Sequence, residues 1–263
     1  MSTIRSGNKD NGSTRSITVI MPAYELEDRI TDAIERVEKT VSALTDEYEI
    51  IVVDDGSRDG TYRRALTQAR NPHVKVYRHP VNLGKGAAIK TGAMKATMEY
   101  TVFLDADMEI DPQGLRRLAE ALKHNDLVVC SKRHPDSVYR APLARKFLSV
   151  SFNTLVKLVM GIRLGDTQTG FKAFRTESLR KIIRTIVVKK YAFDVEMLAI
   201  ANMLNMRIAE TPVRIEQKSM FSFKAAMQML IDLMGIFYRL RVIRWYQKNL
   251  ENQNPKYKPV LPL

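Results

Sequence analysis

Apolar residues recur along this chain with two different periods. The β-rich runs Ile17-Thr-Val-Ile-Met21 and Glu49-Ile-Ile-Val-Val53 read as buried strands, the first ending at Pro22 and the second running into Asp54-Asp55-Gly56-Ser57. Between them Ile30, Ala33, Ile34, Val37, Val41 and Leu44 are spaced as one face of a helix, with charges in the gaps. The alternation continues through strands at Val74–Tyr77, Tyr100–Leu104 and Leu127–Cys130, with helices expected from about Lys85 to Met98 and from Gln113 to His124. Strand, helix, strand in this order predicts an α/β fold with an open, mostly parallel sheet, Rossmann-like, whose ligands bind beyond the carboxyl ends of the strands.

After Arg133 the pattern changes to longer basic, amphipathic stretches, Pro142 to Met160 and Phe223 to Leu250, separated by the Gly-containing segment Gly161 to Phe174. The expected organisation is a loose polar arm over residues 1–16 and one domain over 17–250. Within that domain, 17–133 forms one half and 134–250 an extension with C-terminal amphipathic helices. A proline-containing irregular tail is expected over 251–263.

Charge narrows the partners. Forty-two basic residues against 29 acidic give a formal charge of +13, which suits a polyanion such as a nucleotide, nucleic acid or anionic membrane. The aromatics are not interleaved with the basic clusters as a base-stacking surface requires, so nucleic acid is disfavoured. Cys130 is the only cysteine and the opening is polar, which predicts a cytoplasmic setting. No run reaches the roughly 20 apolar residues that span a bilayer, and the stretch Met227 to Trp245 mixes apolar residues with Arg239, Arg241 and Arg244. Peripheral attachment at the cytoplasmic face of an anionic membrane is therefore expected. Packing of that apolar face against the core is the competing account.

The polar clusters sit at the predicted strand ends. Asp105-Ala106-Asp107 follows Val102-Phe-Leu104, with Glu109 two residues on; in an extended segment all three carboxylates face one way. Three carboxylates repel a diphosphate unless a divalent cation lies between, and hard oxygen ligands suit Mg2+ or Mn2+. A solvated acidic turn is the alternative. Tyr24 is positioned to stack on a base, and Asp55 to accept a ring N–H from uracil or guanine. Asn82-Leu-Gly84-Lys85-Gly86 opens a helix whose free N–H groups and lysine favour phosphate, although a plain helix start has the same pattern.

Taken in order, Pro22-Ala-Tyr24, Val53-Asp-Asp55-Gly-Ser57, Asn82 to Gly86 and Asp105-Ala-Asp107 resemble the nucleotide-binding half of glycosyltransferase family 2, whose fold is called GT-A. Further on, Ser131-Lys-Arg133, Arg145-Lys-Phe-Leu-Ser149, Asp166 to Phe174 and Tyr191-Ala-Phe-Asp194-Val-Glu196 are similar to the dolichyl-phosphate glucose and mannose synthases. The resemblance spans Ile17 to about Arg244 and implies that 17–133 is the nucleotide-sugar half and 134–250 the acceptor and membrane half. It implies a nucleotide-sugar site at Pro22, Tyr24, Val53, Asp55, Lys85 and Asp105 to Asp107, Ala106 included, with the metal on Asp107 and Glu109. It also implies an acceptor-phosphate site at Arg133, Arg145 and Ser149, joined by Lys218 with Arg214 behind it. Asp166 and Gln168 would shape the acceptor loop and Asp194 would orient an arginine. Two segments depart from the family pattern: Glu25-Leu26 replaces the usual Asn-Glu, with Glu27 a possible substitute, and Gln217-Lys218-Ser219-Met220 replaces Gly-x-Ser-Lys.

The implied reaction is inverting displacement by a lipid-phosphate oxygen at the anomeric carbon, with Asp105, Asp107, Arg133 and Arg145 as the catalytic set. A phosphate monoester is largely ionised near neutrality, its second pKa being about 6, so no general base is required. His134 reads as a solvated loop histidine. Dolichyl or another polyprenyl phosphate is the expected acceptor and UDP-glucose the preferred donor over GDP-mannose. Transfer to a sugar or polysaccharide, or nucleotide-sugar binding without activity, are the other readings.

Overall fold

The computed structural model describes residues 15–162, 164–190, 192–217 and 223–253. The chain enters through strand β1 (Ile17–Ala23), helix α1 (Ile30–Ser42), β2 (Tyr48–Asp54), α2 (Thr61–Gln68), β3 (Val74–Arg78), α3 (Lys85–Lys95) and β4 (Tyr100–Phe103). A 3-10 turn at Pro112–Gly114 leads into α4 (Leu115–Leu122), then β5 (Leu127–Ser131), β6 (Val138–Arg140), α5 (Leu143–Met160), β7 (Lys172–Arg175) and α6 (Thr176–Ile183). The remainder is α7 (Phe193–Met203), β8 (Ile208–Pro212), β9 (Arg214–Glu216), α8 (Phe223–Phe237), a π-helical turn at Tyr238–Val242 and α9 (Trp245–Gln253).

The main sheet runs β3-β2-β1-β4-β7-β5-β8, parallel throughout except for β7, which is antiparallel to both neighbours. A parallel pair β6-β9 forms a second small sheet. Each central strand feeds two cores because successive side chains alternate faces. Ile20, Ile51, Val53 and Phe103 point to the side covered by α3, α6 and α7, whereas Val19, Met21, Ile50, Val52 and Val102 point to α1 and α4. On α1 the predicted stripe Ile30, Ala33, Ile34, Val37 and Val41 is wholly buried.

Several boundaries differ from the expectation. Helix α3 stops at Lys95 rather than Met98 because Ala96 turns extended and the Thr97 N–H and hydroxyl donate to the buried Glu49 carboxylate at 2.7 and 2.9 Å. The helix expected from Gln113 begins as a 3-10 turn capped by Asp111, whose carboxylate accepts from the Gln113 N–H at 3.0 Å. Residues 251–253, assigned to the tail, are the last turn of α9, while 254–263 lie outside the described residues. At the other end, residues 1–14 of the arm lie outside them too; Ser16 is tied down, its carbonyl accepting from the Tyr100 N–H at 3.0 Å. The stretch Phe223 to Leu250 is broken into α8, the π turn and α9, with Arg244 at φ 51° between the last two.

Candidate active site

Parallel pairing of β1 with β2 sets Pro22 beside Val53 and Ala23 beside Asp54, so both strand ends open on the same edge. Beta4 joins that edge through the Leu104 N–H, which donates to the Ile20 carbonyl at 3.0 Å. There a cleft of about 650 Å³ is lined by Pro22, Ala23, Tyr24, Asp55, Asn82, Gly84, Lys85, Asp105, Ala106 and Asp107, with Leu26, Lys190 and Gln228 completing its walls. Seven of the sequence-derived nucleotide-site residues thus meet in one cavity. Val53 does not join them: it is fully buried on the α3 side of β2, packed in the core with Ile20 and Ala88, because its neighbour Asp54 takes the opposite face.

Tyr24 is 40% exposed at the rim, open for a base to stack on it. Asp55 sits deeper and is held from three sides. Its Oδ1 accepts from the Leu83 N–H at 3.0 Å and lies 2.7 Å from His79 Nδ1, and its Oδ2 accepts from the Gly84 N–H at 2.8 Å. Nε2 of His79 lies 2.9 Å from the Thr91 hydroxyl. Gly84 takes φ 102°, and a Cβ there would stand 2.5 Å from the Lys189 carbonyl oxygen, so the chain enters α3 in a conformation that suits only glycine.

At the floor Lys85 Nζ contacts the Asp105 carboxylate at 2.7 Å. Desolvation works against the ammonium, but the negative charge of Asp105 and Asp194 outweighs it and holds the lysine pKa above its ordinary value. Gly170 backs this pair: a Cβ would come within 2.0 Å of Asp105 Oδ2. Where the resemblance implies an arginine for Asp194, its partner is instead the fully buried Lys172, at 2.7 Å, which β7 brings in between β4 and β5.

The segment after β4 is a turn, not the extended strand on which all three carboxylates would share a face. Met108 adopts φ 57° and the Glu109 N–H folds back onto Asp107 Oδ1 at 3.1 Å. Asp105 and Asp107 line the cleft, and Glu109, next to Asp107 but not among the lining residues, accepts through its carbonyl from the Glu216 N–H at 3.1 Å. Burial, reinforced by the charges of Asp105 and Glu109, pushes the Asp107 carboxyl up to about 6. Among the described residues no three His, Cys, Asp or Glu side chains form a ready-made metal cluster. A carboxylate burdened by neighbouring negative charge nevertheless fits a hard divalent cation that takes its other ligands from a diphosphate.

The residues that the resemblance assigns to the acceptor are not among the lining of that cleft. Arg133 donates from both terminal nitrogens to main-chain carbonyls, Gly165 and Ser149, each at 2.9 Å, so the guanidinium braces α5 against the 161–171 loop. Ser149 takes part through its carbonyl. Arg145 Nε donates to Gln217 Oε1 at 3.1 Å. Asp166 is buried and organises the loop as expected, accepting from the Lys132 and Gln168 N–H groups at 3.1 and 2.9 Å and from the Thr169 hydroxyl. Burial raises its pKa, and the positive charge of Lys132 with these bonds pulls it below the usual carboxylate value. Arg214 is an exposed residue of β9; Lys218 and Tyr191 lie outside the described residues. Glu27 accepts from the Gly60 N–H at 2.9 Å, and so fastens the start of α2. His134 stands in the turn after β5, 3.7 Å from Asp136.

Sequence reasoning missed His79, Lys190, Gln228 and Lys172. His79 was within reach, because it directly follows β3, whose end pairs with that of β2 at Asp54. No local signal distinguishes the other three.

An open, mostly parallel sheet with the acidic pair at the edge of β4 and the Asp55 carboxylate after β2 defines a GT-A glycosyltransferase. The chain belongs to glycosyl transferase family 2, whose model matches residues 18–183. It is 31% identical over 261 residues to a dolichyl-phosphate beta-glucosyltransferase of Dictyostelium discoideum, covering 92% of this chain and 80% of the relative. The human dolichyl-phosphate beta-glucosyltransferase is 33% identical over 256 residues, covering 88% and 76%. An undecaprenyl-phosphate mannosyltransferase of Micrococcus luteus is 32% identical over 213 residues, covering 78% and 85%. In fold the chain matches glucosyl-3-phosphoglycerate synthase from Mycobacterium tuberculosis in complex with Mn2+, uridine diphosphate and glucosyl-3-phosphoglycerate, with a TM-score of 0.67 at 20% identity over 90% of this chain and 85% of that one.

Proposed function

We propose that this glycosyltransferase moves glucose from UDP-glucose to dolichyl phosphate, or a related polyprenyl phosphate, with inversion at the anomeric carbon. The observation that carries the donor side is the single cleft joining Tyr24, Asp55, Lys85, Asp105 and Asp107 at one sheet edge. Tyr24 would stack on the base, Asp55 would accept its ring N–H, and Lys85 would neutralise the diphosphate with the main-chain N–H groups at the start of α3. Mg2+ or Mn2+ would be held by Asp107, with Glu109 as its second ligand, and would supply charge stabilisation for the departing diphosphate. The acceptor phosphate, already ionised, would be received by Arg145 and Arg133 with Ser149 and Lys218; Arg133 also braces α5 through the Gly165 and Ser149 carbonyls.

A membrane-surface acceptor is supported by two neighbouring helices. On α5 Leu143, Phe147, Val150 and Leu158 are exposed, and on α8 Met227, Leu230, Ile231, Met234 and, beyond it, Tyr238 are exposed at helical spacing. Alpha5 packs against α8, so both exposed stripes belong to one packed pair of helices, and Lys146, Lys157 and Arg244 would provide cationic contacts for anionic lipid. No helix among the described residues is long and apolar enough to cross a membrane. Peripheral attachment at the cytoplasmic face follows from this reading.

The preference for UDP-glucose rests on the dolichyl-phosphate beta-glucosyltransferase relatives; the Micrococcus relative favours a mannose donor instead. Asp55 is neutral between them, since uracil and guanine both offer a ring N–H. Competition between labelled UDP-glucose and GDP-mannose, with dolichyl phosphate and Mg2+ or Mn2+, tests the proposal. Label from UDP-glucose should enter the lipid phase. Preferential transfer from GDP-mannose would overturn the glucose assignment, and label in a sugar or polysaccharide product alone would overturn the acceptor.

A further inference from the structure

One wall of the cleft comes from the short segment before α7. Lys190 lines the cavity, and the Lys189 carbonyl accepts from the Ala87 N–H at 3.1 Å in the first turn of α3. Phe193 presses so closely on Gly86 that a Cβ there would meet its ring at 2.6 Å. The position of residues 187–190 therefore sets the position of the helix start that carries Lys85.

That segment is anchored by Glu196, a fully buried carboxylate that the reaction scheme above does not use. Oε2 accepts from the Val187 and Val188 N–H groups at 3.1 and 2.7 Å. Oε1 accepts from the Tyr246 hydroxyl in α9 and stands 3.7 Å from the Arg239 guanidinium in the π turn. Arg239 Nε in turn donates to the Tyr246 oxygen at 2.9 Å. An acceptor-only group is what this place requires, because every neighbour offered to it is a donor. The π turn continues α8, whose exposed Met227, Leu230, Ile231 and Met234 form the apolar face and whose Gln228 lines the cleft. Single π turns recur at functional sites, where they re-aim side chains out of the regular helical register.

We infer that Glu196 is a positioning residue for the donor site, and that Tyr246 and Arg239 couple the cleft wall at 187–190 to the apolar C-terminal helices. The inference rests on reading the cleft as the nucleotide-sugar site. Through this tie, seating α8 on a lipid surface would set the wall against which the donor binds. A protein detached from its membrane would hold the donor less well.

The test uses the full chain carrying Tyr246→Phe, which keeps the buried ring and removes only the hydroxyl, with Glu196→Gln as a second variant. Amide hydrogen exchange over 187–190 should rise about tenfold in Tyr246→Phe, the effect of one lost buried hydrogen bond. Calorimetric affinity for UDP should fall by about five- to tenfold. The KM for donor should rise with kcat and the acceptor KM unchanged, a split that general loosening of the fold would not produce. Unchanged exchange at 187–190 in a folded variant would overturn the inference, as would raised exchange with unchanged nucleotide affinity. Wild-type protein that binds neither UDP nor GDP would instead refute the donor reading; the exchange measurement needs no nucleotide and still decides whether the tie exists.

Discussion

Asp107 bears more negative charge than its surroundings compensate, with burial and Asp105 together pushing its carboxyl up to about 6. Replacing it with Asn removes that burden along with the proposed metal ligand. Asp107→Asn should therefore lose metal-dependent turnover by at least about a hundredfold, while its melting temperature stays level or rises. Full activity with Mg2+ or Mn2+ in this variant would remove the metal assignment. His79 acts on the opposite side of the cleft, where its Nδ1 holds Asp55. His79→Ala leaves Asp55 with its two main-chain donors and a cavity beside it, so UDP affinity measured by calorimetry should drop about tenfold. Undiminished affinity would mean that the two main-chain bonds alone hold the carboxylate.

On the proposed reading α5 serves acceptor and membrane from two faces. Arg145, on its first turn, reaches Gln217 beyond β9, while Leu143, Phe147 and Val150 stay exposed. Arg145→Ala should raise the KM for lipid phosphate about tenfold or more and leave that for nucleotide-sugar within about twofold. An equal rise in both would contradict the division between donor and acceptor sites. Phe147→Glu combined with Ile231→Glu sets charge on the exposed apolar stripes of α5 and α8. Sedimentation with anionic liposomes should fall sharply in that double variant, with unfolding by denaturant unaltered, because neither side chain enters the core. Liposome binding equal to that of the wild type would move the contact elsewhere.

Across the whole molecule, Glu49 does more than its strand position suggests. Its buried carboxylate accepts from the Thr18 hydroxyl on β1 at 2.7 Å, Lys75 on β3 at 2.6 Å and Thr97 beyond α3 at 2.7 and 2.9 Å, so it ties three strands to a helix end. Burial alone would raise its pKa, but the Lys75 and threonine bonds prevail and hold it below the ordinary glutamate value. A depressed folded-state pKa stabilises the native state above the unfolded value of about 4.3, and that stability is lost as pH falls through the folded pKa. Glu49→Gln should thus cost about 2–4 kcal/mol near neutrality, and the gap to wild type should close as pH drops below about 4. A gap that stays constant with pH in urea unfolding would assign the effect to packing.

The strand-helix alternation, the parallel sheet and the edge on which Asp55, Asp105 and Asp107 emerge were legible without coordinates, because the periods of 2 and 3.6 are local properties of the chain. The buried stripe of α1 and the exposed stripes of α5 and α8 belong to the same class of information. Partner choice was decided only by the tertiary structure. Asp194 meets Lys172 rather than an arginine because β7 inserts between β4 and β5 and brings Lys172 to it, and no residue near Asp194 announces that insertion. Val53 turns into the core, and Glu109 comes off the face shared by Asp105 and Asp107, because of a strand face and a positive-φ turn, each set by neighbours in space. The tie from Glu196 to Tyr246 joins residues 50 apart in the chain. Buried polar groups must find partners wherever the fold brings them, so their pairing is a property of the assembled molecule and not of the segments that compose it.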